Sequence, residues 1–261
     1  MAVPVVFSTG SLYPFGLDRV FSWTAEVGFD GLEVLMDERW DTHQADYLNG
    51  LAEKYELPIL ALHPPIGRGA WRLGAEETLI RSARLARKIG AGTVVAHPPP
   101  LGRTLIRWRE GALSEAREQG VSVAVENMPR DEVRKFFIVR NSRVCAPEDL
   151  AGLGDVTLDT SHLGSSGLDP MQAWAVLKDR LRHVHLSDSN YIPGRDEHRL
   201  PGKGKLPLKQ FLAAIGESDY PGVISLELKP WPLGTPHPEK ILSNMLAALE
   251  FTREGLGGAT S

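Results

Sequence analysis

The chain reads as a single-domain α/β protein, a (β/α)8 TIM barrel, on three observations. Eight short β-rich runs alternate with helical patterns; the chain has 261 residues, about the length eight such units need; and residues able to bind a metal recur where six consecutive strands should end.

The strands fall at residues 3–8 (VPVVFS), 29–35 (FDGLEVL), 58–63 (PILALH), 92–97 (GTVVAH), 121–126 (VSVAVE), 155–159 (DVTLD), 181–186 (LRHVHL) and 222–227 (GVISLE). Between the first two, LDRVFSWTAEVG has helical spacing and stops at Gly28; further on, AEETLIRSARLARKIG stops at Gly90. PEDLAGLG and DPMQAWAVL carry proline at or near the first turn, where its missing N–H costs nothing. A doubly wound sheet would also alternate strands and helices. It is disfavoured because STGSLYPFG, after the first strand, lacks a glycine-rich phosphate-binding pattern. The barrel is expected to occupy residues 1–253, with GLGGATS marking a disordered tail over 254–261.

Composition sets limits on function. With 42% hydrophobic and 24% charged residues, the chain has an ordinary globular balance. No apolar run approaches the roughly 18–20 residues of a membrane helix, and MAVPVVFSTG lacks the pattern of a signal peptide, so a cytoplasmic location without membrane partners is expected. Cys145 is the one cysteine, so no disulfide framework or thiolate cluster can form, and any metal must rest on His, Asp and Glu. Net charge is −4, but residues 64–143 hold 15 Lys/Arg against 8 Asp/Glu, leaving the acidic excess elsewhere. Arg81, Arg84, Arg87 and Lys88 fit a solvated helix face, whereas Arg68 and Arg103, in loop-like stretches, are candidates to bind an anionic substrate group.

His63, His97, Glu126, Asp159, His185 and Glu227 each stand at or beside the end of a strand, from the third to the eighth. In a barrel those ends meet at one face. One such residue would ordinarily be a satisfied rim side chain. Six together would bury carboxylates and imidazoles at a prohibitive cost unless cations neutralised them. A divalent metal therefore explains the set, and carboxylates with imidazoles suit zinc or manganese, or iron or cobalt, better than calcium. DTSH adds His162 three residues after Asp159. DEH places Asp196 and His198 two apart, on one side of an extended segment. Gly202 and Gly204 would let that loop fold back over the mouth.

Other assignments are weaker. Glu33 ends the second strand and could bind a substrate hydroxyl or remain a rim carboxylate. Trp231 could stack on a substrate ring. His183 points the way of His185 but deeper, as a support for a ligand, and Asp188 could orient a ligand imidazole or cap a loop.

The series LALHPP, VVAHPP, VAVENM, LDTSH, HVHLSDS, DEHRLPGKG and SLEL resembles the xylose isomerase-like TIM barrel superfamily, which includes sugar phosphate isomerases and epimerases and the AP endonuclease family 2 enzyme endonuclease IV. The resemblance spans nearly the whole chain. By its epimerase branch it implies one metal held by Glu126, Asp159, His185 and Glu227, with Glu126 and Glu227 as the catalytic pair moving a proton on a sugar or sugar phosphate. By its endonuclease branch it implies three zinc ions: His63, His97 and Glu126 for the first; Glu126, Asp159, His185 and Glu227 for the second; His162, Asp196 and His198 for the third. That branch would cleave DNA at abasic sites. HLSD and HLGSSGLD stand where endonuclease IV usually shows HLND and AAGYD, which favours the small-molecule, sugar-like substrate. The expected cofactor is one to three divalent ions. A barrel that only senses a sugar would be more attractive were one glutamate missing, and both are present. Barrel helices often pair, which admits a homodimer.

Overall fold

A computed structural model describes residues 2–257, apart from 66–70, 72, 100–102, 130, 131, 135, 136 and 140–143. Eight parallel strands close the expected barrel: β1 Val5–Ser8, β2 Gly31–Leu35, β3 Ile59–His63, β4 Thr93–Ala96, β5 Ser122–Glu126, β6 Val156–Asp159, β7 Leu181–Leu186 and β8 Val223–Leu226. The ring shuts where Val5, Val6 and Phe7 pair with Ile224, Ser225 and Leu226. Nearly every strand residue is buried, because interior side chains fill one face of the sheet and helices cover the other. Phe7, Phe21, Leu32, Trp108 and Phe211 are among the fully buried side chains of that core.

The helix signals act as their chemistry requires. Leu17–Val27 and Ala75–Ile89 end at Gly28 and Gly90, with φ of 89° and 74°. This left-handed conformation lets the glycine N–H satisfy the last helical carbonyls and strains any other residue. Pro147 and Pro170 open their helices, and the Asp169 carboxylate caps the second by accepting from Met171 N at 2.7 Å.

Three features depart from the expected layout. An antiparallel hairpin, Glu132–Arg134 with Phe137–Val139, interrupts the connection from β5 to β6. His97 and Glu227 lie one residue beyond their strands, since the ladders end at Ala96 and Leu226. The final helix, Pro238–Gly255, runs past the boundary set at residue 253, so 254 and 255 are helix and not tail; 258–261 lie outside the described residues.

Parallel registers also decide which side chains share the interior. Ser8 pairs with Glu33, and Val223 and Ser225 with His183 and His185. Paired residues of parallel strands project to the same face, so the first and last strands bring polar side chains into the barrel beneath the strand-end carboxylates and imidazoles.

Candidate metal centre

Glu126, at the end of β5, lies at the middle of the gathered residues. Its Oε2 is 2.7 Å from His97 Nε2 and 3.9 Å from His63 Nε2. Its Oε1 is 3.2 Å from His185 Nδ1 and 3.3 Å from His162 Nδ1. His185 Nδ1 also lies 3.1 Å from Glu227 Oε2 and 3.7 Å from Asp159 Oδ2. On the far side His198 Nε2 is 2.9 Å from Asp196 Oδ1 and 4.0 Å from Asp159 Oδ2. His162 Nε2 is 4.0 Å from the same Asp196 oxygen.

Three neighbouring sets can each converge on one cation, with ligand atoms mutually within 4.8 Å: His63, His97 and Glu126; Glu126, Asp159, His185 and Glu227; and Asp159, His162 and His198. Asp196 joins the third through its short contact to His198. The structure thus brings together all nine residues expected as ligands.

Local folding aims them. His63 Nδ1 meets Pro64 O at 2.7 Å, His162 Nδ1 meets Asn127 O at 2.8 Å, and His198 Nδ1 meets Glu227 O at 3.0 Å. A carbonyl only accepts, so each Nδ1 carries the proton and each Nε2 is left for the centre. Asp159 ends β6 and caps the short helix Thr160–Ser165, its Oδ1 accepting from His162 N at 2.8 Å. DTSH is therefore a strand-to-helix corner, and one helical turn carries His162 back to Asp159. Asn127 clamps the same corner: its Oδ1 accepts from Asp159 N at 2.7 Å and its Nδ2 donates to Asp159 O at 3.0 Å.

The loop bearing Asp196 and His198 is held by Ser161. Its hydroxyl donates to Asp196 Oδ1 at 3.0 Å and accepts from Glu197 N and His198 N at 3.1 and 2.9 Å. His198 takes φ of 41°, a conformation β-carbon sterics disfavour, which turns its ring inward. Lys229 Nζ also reaches the Asp196 carbonyl oxygen and carboxylate. Sequence reasoning missed Ser161 and Lys229; only nearness to the candidate ligands marked them.

The geometry fits a metal in a further respect. Among the described residues, Glu126 Oε2, Asp159 Oδ2 and His97 Nε2 are buried without a hydrogen-bond partner. His97 Nε2 and Glu126 Oε2 are 2.7 Å apart yet misaligned for a hydrogen bond, as two ligands aimed at a common point would be. Burial opposes charge throughout, but the charges counter it. The His97 and His185 imidazoles hold Glu126 well below the usual carboxylate range. Glu227 falls to about 2 because His185 outweighs its burial. Conversely, Asp196 and Asp159 overcome burial to lift His198 to about 9, while Asp159 and Glu126 lift His162, and Glu227 and Glu33 lift His185. The carboxylates demand positive charge, and protons on the imidazoles provide it where a cation does not.

Two residues left with alternatives by the sequence find defined partners. Glu33 is fully buried, and its Oε2 accepts from His183 Nε2 at 2.6 Å and from His185 Nε2 at 2.9 Å. Asp188 touches no ligand imidazole. Its carboxylate accepts from Ser189 N and Gly204 N at 2.8 Å and Leu206 N at 3.1 Å, pinning the loop. A β-carbon on Gly204 would collide with that carboxylate, which explains the glycine in LPGKG. His183 is joined to His185 through Glu33. Trp231 is 83% exposed in the turn Pro230–Leu233, and Arg103 is exposed at the start of the helix Arg103–Arg107. Arg68 lies outside the described residues.

Comparison with known proteins agrees with this architecture. The family model described as the xylose isomerase-like TIM barrel matches residues 21–250. An uncharacterized protein of Mycobacterium leprae (strain TN) is 32% identical over 251 residues, covering 87% of this chain and 89% of its own. A fructoselysine 3-epimerase of Escherichia coli O157:H7 is 26% identical over 242 residues, covering 81% and 85%. Among solved structures, a D-psicose 3-epimerase in the presence of D-fructose superposes with a TM-score of 0.74 at 19% identity, covering 98% of this chain and 100% of that one. Among the described residues no helix is long and apolar enough to cross a membrane. The closed barrel, the residues gathered at its strand ends and the match over most of its length together place this chain in the xylose isomerase-like TIM barrel family.

Proposed function

We propose that the protein is a divalent-metal-dependent isomerase or epimerase that moves a proton on a sugar or sugar phosphate, at the carbon next to the carbonyl. The observation that carries this reading is the pairing of Glu126 and Glu227 across one imidazole, their oxygens 3.2 and 3.1 Å from His185 Nδ1. They stand on β5 and just beyond β8, so a small substrate lying over His185 would have a carboxylate on either side. A zinc or manganese ion held by Glu126, Asp159, His185 and Glu227 would polarise the carbonyl and stabilise the charge that develops on it.

The side chains do the rest. One glutamate, ionised, takes the proton from the carbon; the other, having first taken up a proton from solvent, delivers it to the opposite face for epimerisation, while for isomerisation the first returns its proton to the neighbouring carbon or oxygen. Both are held well below the usual carboxylate range by burial-opposing imidazoles, His97 and His185 for Glu126 and His185 for Glu227, and so are ready to accept a proton at neutral pH. Glu227, less buried than Glu126, is the one open to the mouth. The similarity to a fructoselysine 3-epimerase supports a carbohydrate substrate.

The test is a panel of ketoses and their phosphates in heavy water with metal-loaded protein. Deuterium should enter at the carbon beside the carbonyl, and Glu126→Gln or Glu227→Gln should abolish it. No exchange with any member of the panel contradicts the reading.

A second reading is favoured by one specific observation: the outer sets, His63 with His97 and His162 with Asp196 and His198, are as well formed as the central one. Three ions there would suit phosphodiester cleavage, as in an abasic-site endonuclease. Cutting of abasic duplex DNA together with absent deuterium exchange would establish that alternative.

A further inference from the structure

Beneath the gathered ligands lies a second polar group, Glu33, His183 and His185, buried completely inside the barrel. Its ligand atoms are close enough for a cation, but their alignment differs from that above. Both imidazoles make well-directed hydrogen bonds to one oxygen, Glu33 Oε2, whereas His97 and Glu126 approach within 2.7 Å without forming one. The two lone pairs of Oε2 are committed to two N–H donors. This lower group is therefore a hydrogen-bonded support.

We propose that Glu33, clamped by His183, is a positioning residue that fixes the His185 ring with Nε2 protonated and Nδ1 presented to the central metal set. His183 and His185 are two apart on β7 and so point into the barrel from one face, one above the other. Glu33 enters from β2, on the other side of β1 and β8. Its carboxylate spans the two rings and cannot reach solvent.

His185 differs in this from the other aimed imidazoles. His63, His162 and His198 are oriented by the backbone carbonyls of Pro64, Asn127 and Glu227. His185 alone among these four is oriented by a charged side chain. A carboxylate partner makes the opposite ring nitrogen a stronger donor than a carbonyl does. Glu33 would thus bias the strongest imidazole donation toward the central set, shared by Glu126 and Glu227. Among the described residues, Glu33 Oε1, His183 Nδ1, Ser8 Oγ and Ser225 Oγ find no partner, so the two imidazole N–H groups are the hydrogen-bond donors to the carboxylate there.

The inference rests on the metal-dependent reading above, and cobalt(II) separates the two. Metal-stripped wild type, Glu33→Gln, Glu33→Leu and His183→Gln would be titrated with cobalt(II) against a chelator, recording affinity, the visible absorption of the bound ion and thermal stability. Glu33→Leu should weaken cobalt binding by about 10- to 100-fold and alter the spectrum, with Glu33→Gln, which keeps one acceptor, falling between it and wild type. If Glu33→Leu does not fold, Glu33→Gln and His183→Gln carry the same expectation in weaker form. Variants that are less heat-stable but match wild type in affinity and spectrum would show a purely structural role and overturn the inference. Wild type that takes up no cobalt overturns the metal-dependent reading and this inference with it; uptake by wild type with unchanged variants overturns this inference alone.

Discussion

The two nitrogens of His185 face two regions built from the same residue types to opposite ends. Below Nε2, Glu33 and His183 are closed up in short, well-directed hydrogen bonds. Above Nδ1, Glu126, Asp159 and His97 crowd together with buried atoms that, among the described residues, form no hydrogen bond. Burial and composition do not separate the regions; the commitment of the lone pairs does. Carboxylate and imidazole form a scaffold when each proton has an acceptor, and a binding site when several acceptors converge on one point.

The largest expected effect lies in the upper region. Glu126→Gln removes a carboxylate shared by two of the metal sets and by the proton-transfer pair. Turnover should fall by about 10²- to 10⁴-fold or more, measured as deuterium exchange, with metal content reduced as well. Unchanged turnover would mean that the upper region is as structural as the lower one.

Next comes pH, through groups found in the upper region. In metal-free protein the folded-state value of His198 is raised to about 9, and those of His162 and His185 are raised well above the ordinary imidazole value. Their stabilisation is fully present below about pH 6.5 and is lost as pH rises through the folded values, near 9 for His198. Glu227, lowered to about 2, acts in the opposite sense: its contribution is present above its unfolded value near 4.3 and is lost as pH falls toward 2. Metal-free protein should therefore be most heat-stable between about pH 4.5 and 6.5 and weaken toward pH 9, while bound metal, replacing the protons, should flatten the alkaline decline. Melting curves with and without chelator check this; identical profiles would contradict it.

Ser161→Ala tests the arm of the upper region that comes from a loop. Losing the hydroxyl that serves Asp196, Glu197 and His198 should cost about 1–3 kcal/mol of stability and loosen the third set while sparing the central one. Differential scanning calorimetry with metal counting would show both.

The smallest effect belongs far from either region. Gly28→Ala, at the left-handed end of Leu17–Val27, should lower stability by about 1 kcal/mol and leave metal content and exchange untouched. A change in metal content would show that the frame and the centre are coupled.

Much of this was legible in the chain because period and position carry it. β-rich runs gave strands within a residue or two, and Gly28, Gly90, Pro147 and Pro170 marked helix ends through backbone chemistry that does not depend on the rest of the fold. The ligand candidates stood out because a barrel gathers strand ends in one place. The hairpin Glu132–Arg134 with Phe137–Val139 was not visible, since runs of three residues carry no usable periodicity. The partners of Glu33 were not legible because rank along a strand does not disclose whether a carboxylate will face solvent or lie against a ring contributed 150 residues later. Ser161 was overlooked for a related reason: a serine within DTSH is an ordinary turn residue until the loop carrying Asp196 is laid over it.

The central claim is that the strand-end carboxylates and imidazoles hold a divalent cation. Equilibrium dialysis of metal-stripped protein against zinc or manganese, followed by metal analysis of the wild type and of Asp159→Ala and His185→Ala, tests it most directly. The account predicts at least one tightly held ion per chain in the wild type and its loss in both variants. Folded wild-type protein that retains none, or variants that retain as much as the wild type, would contradict it.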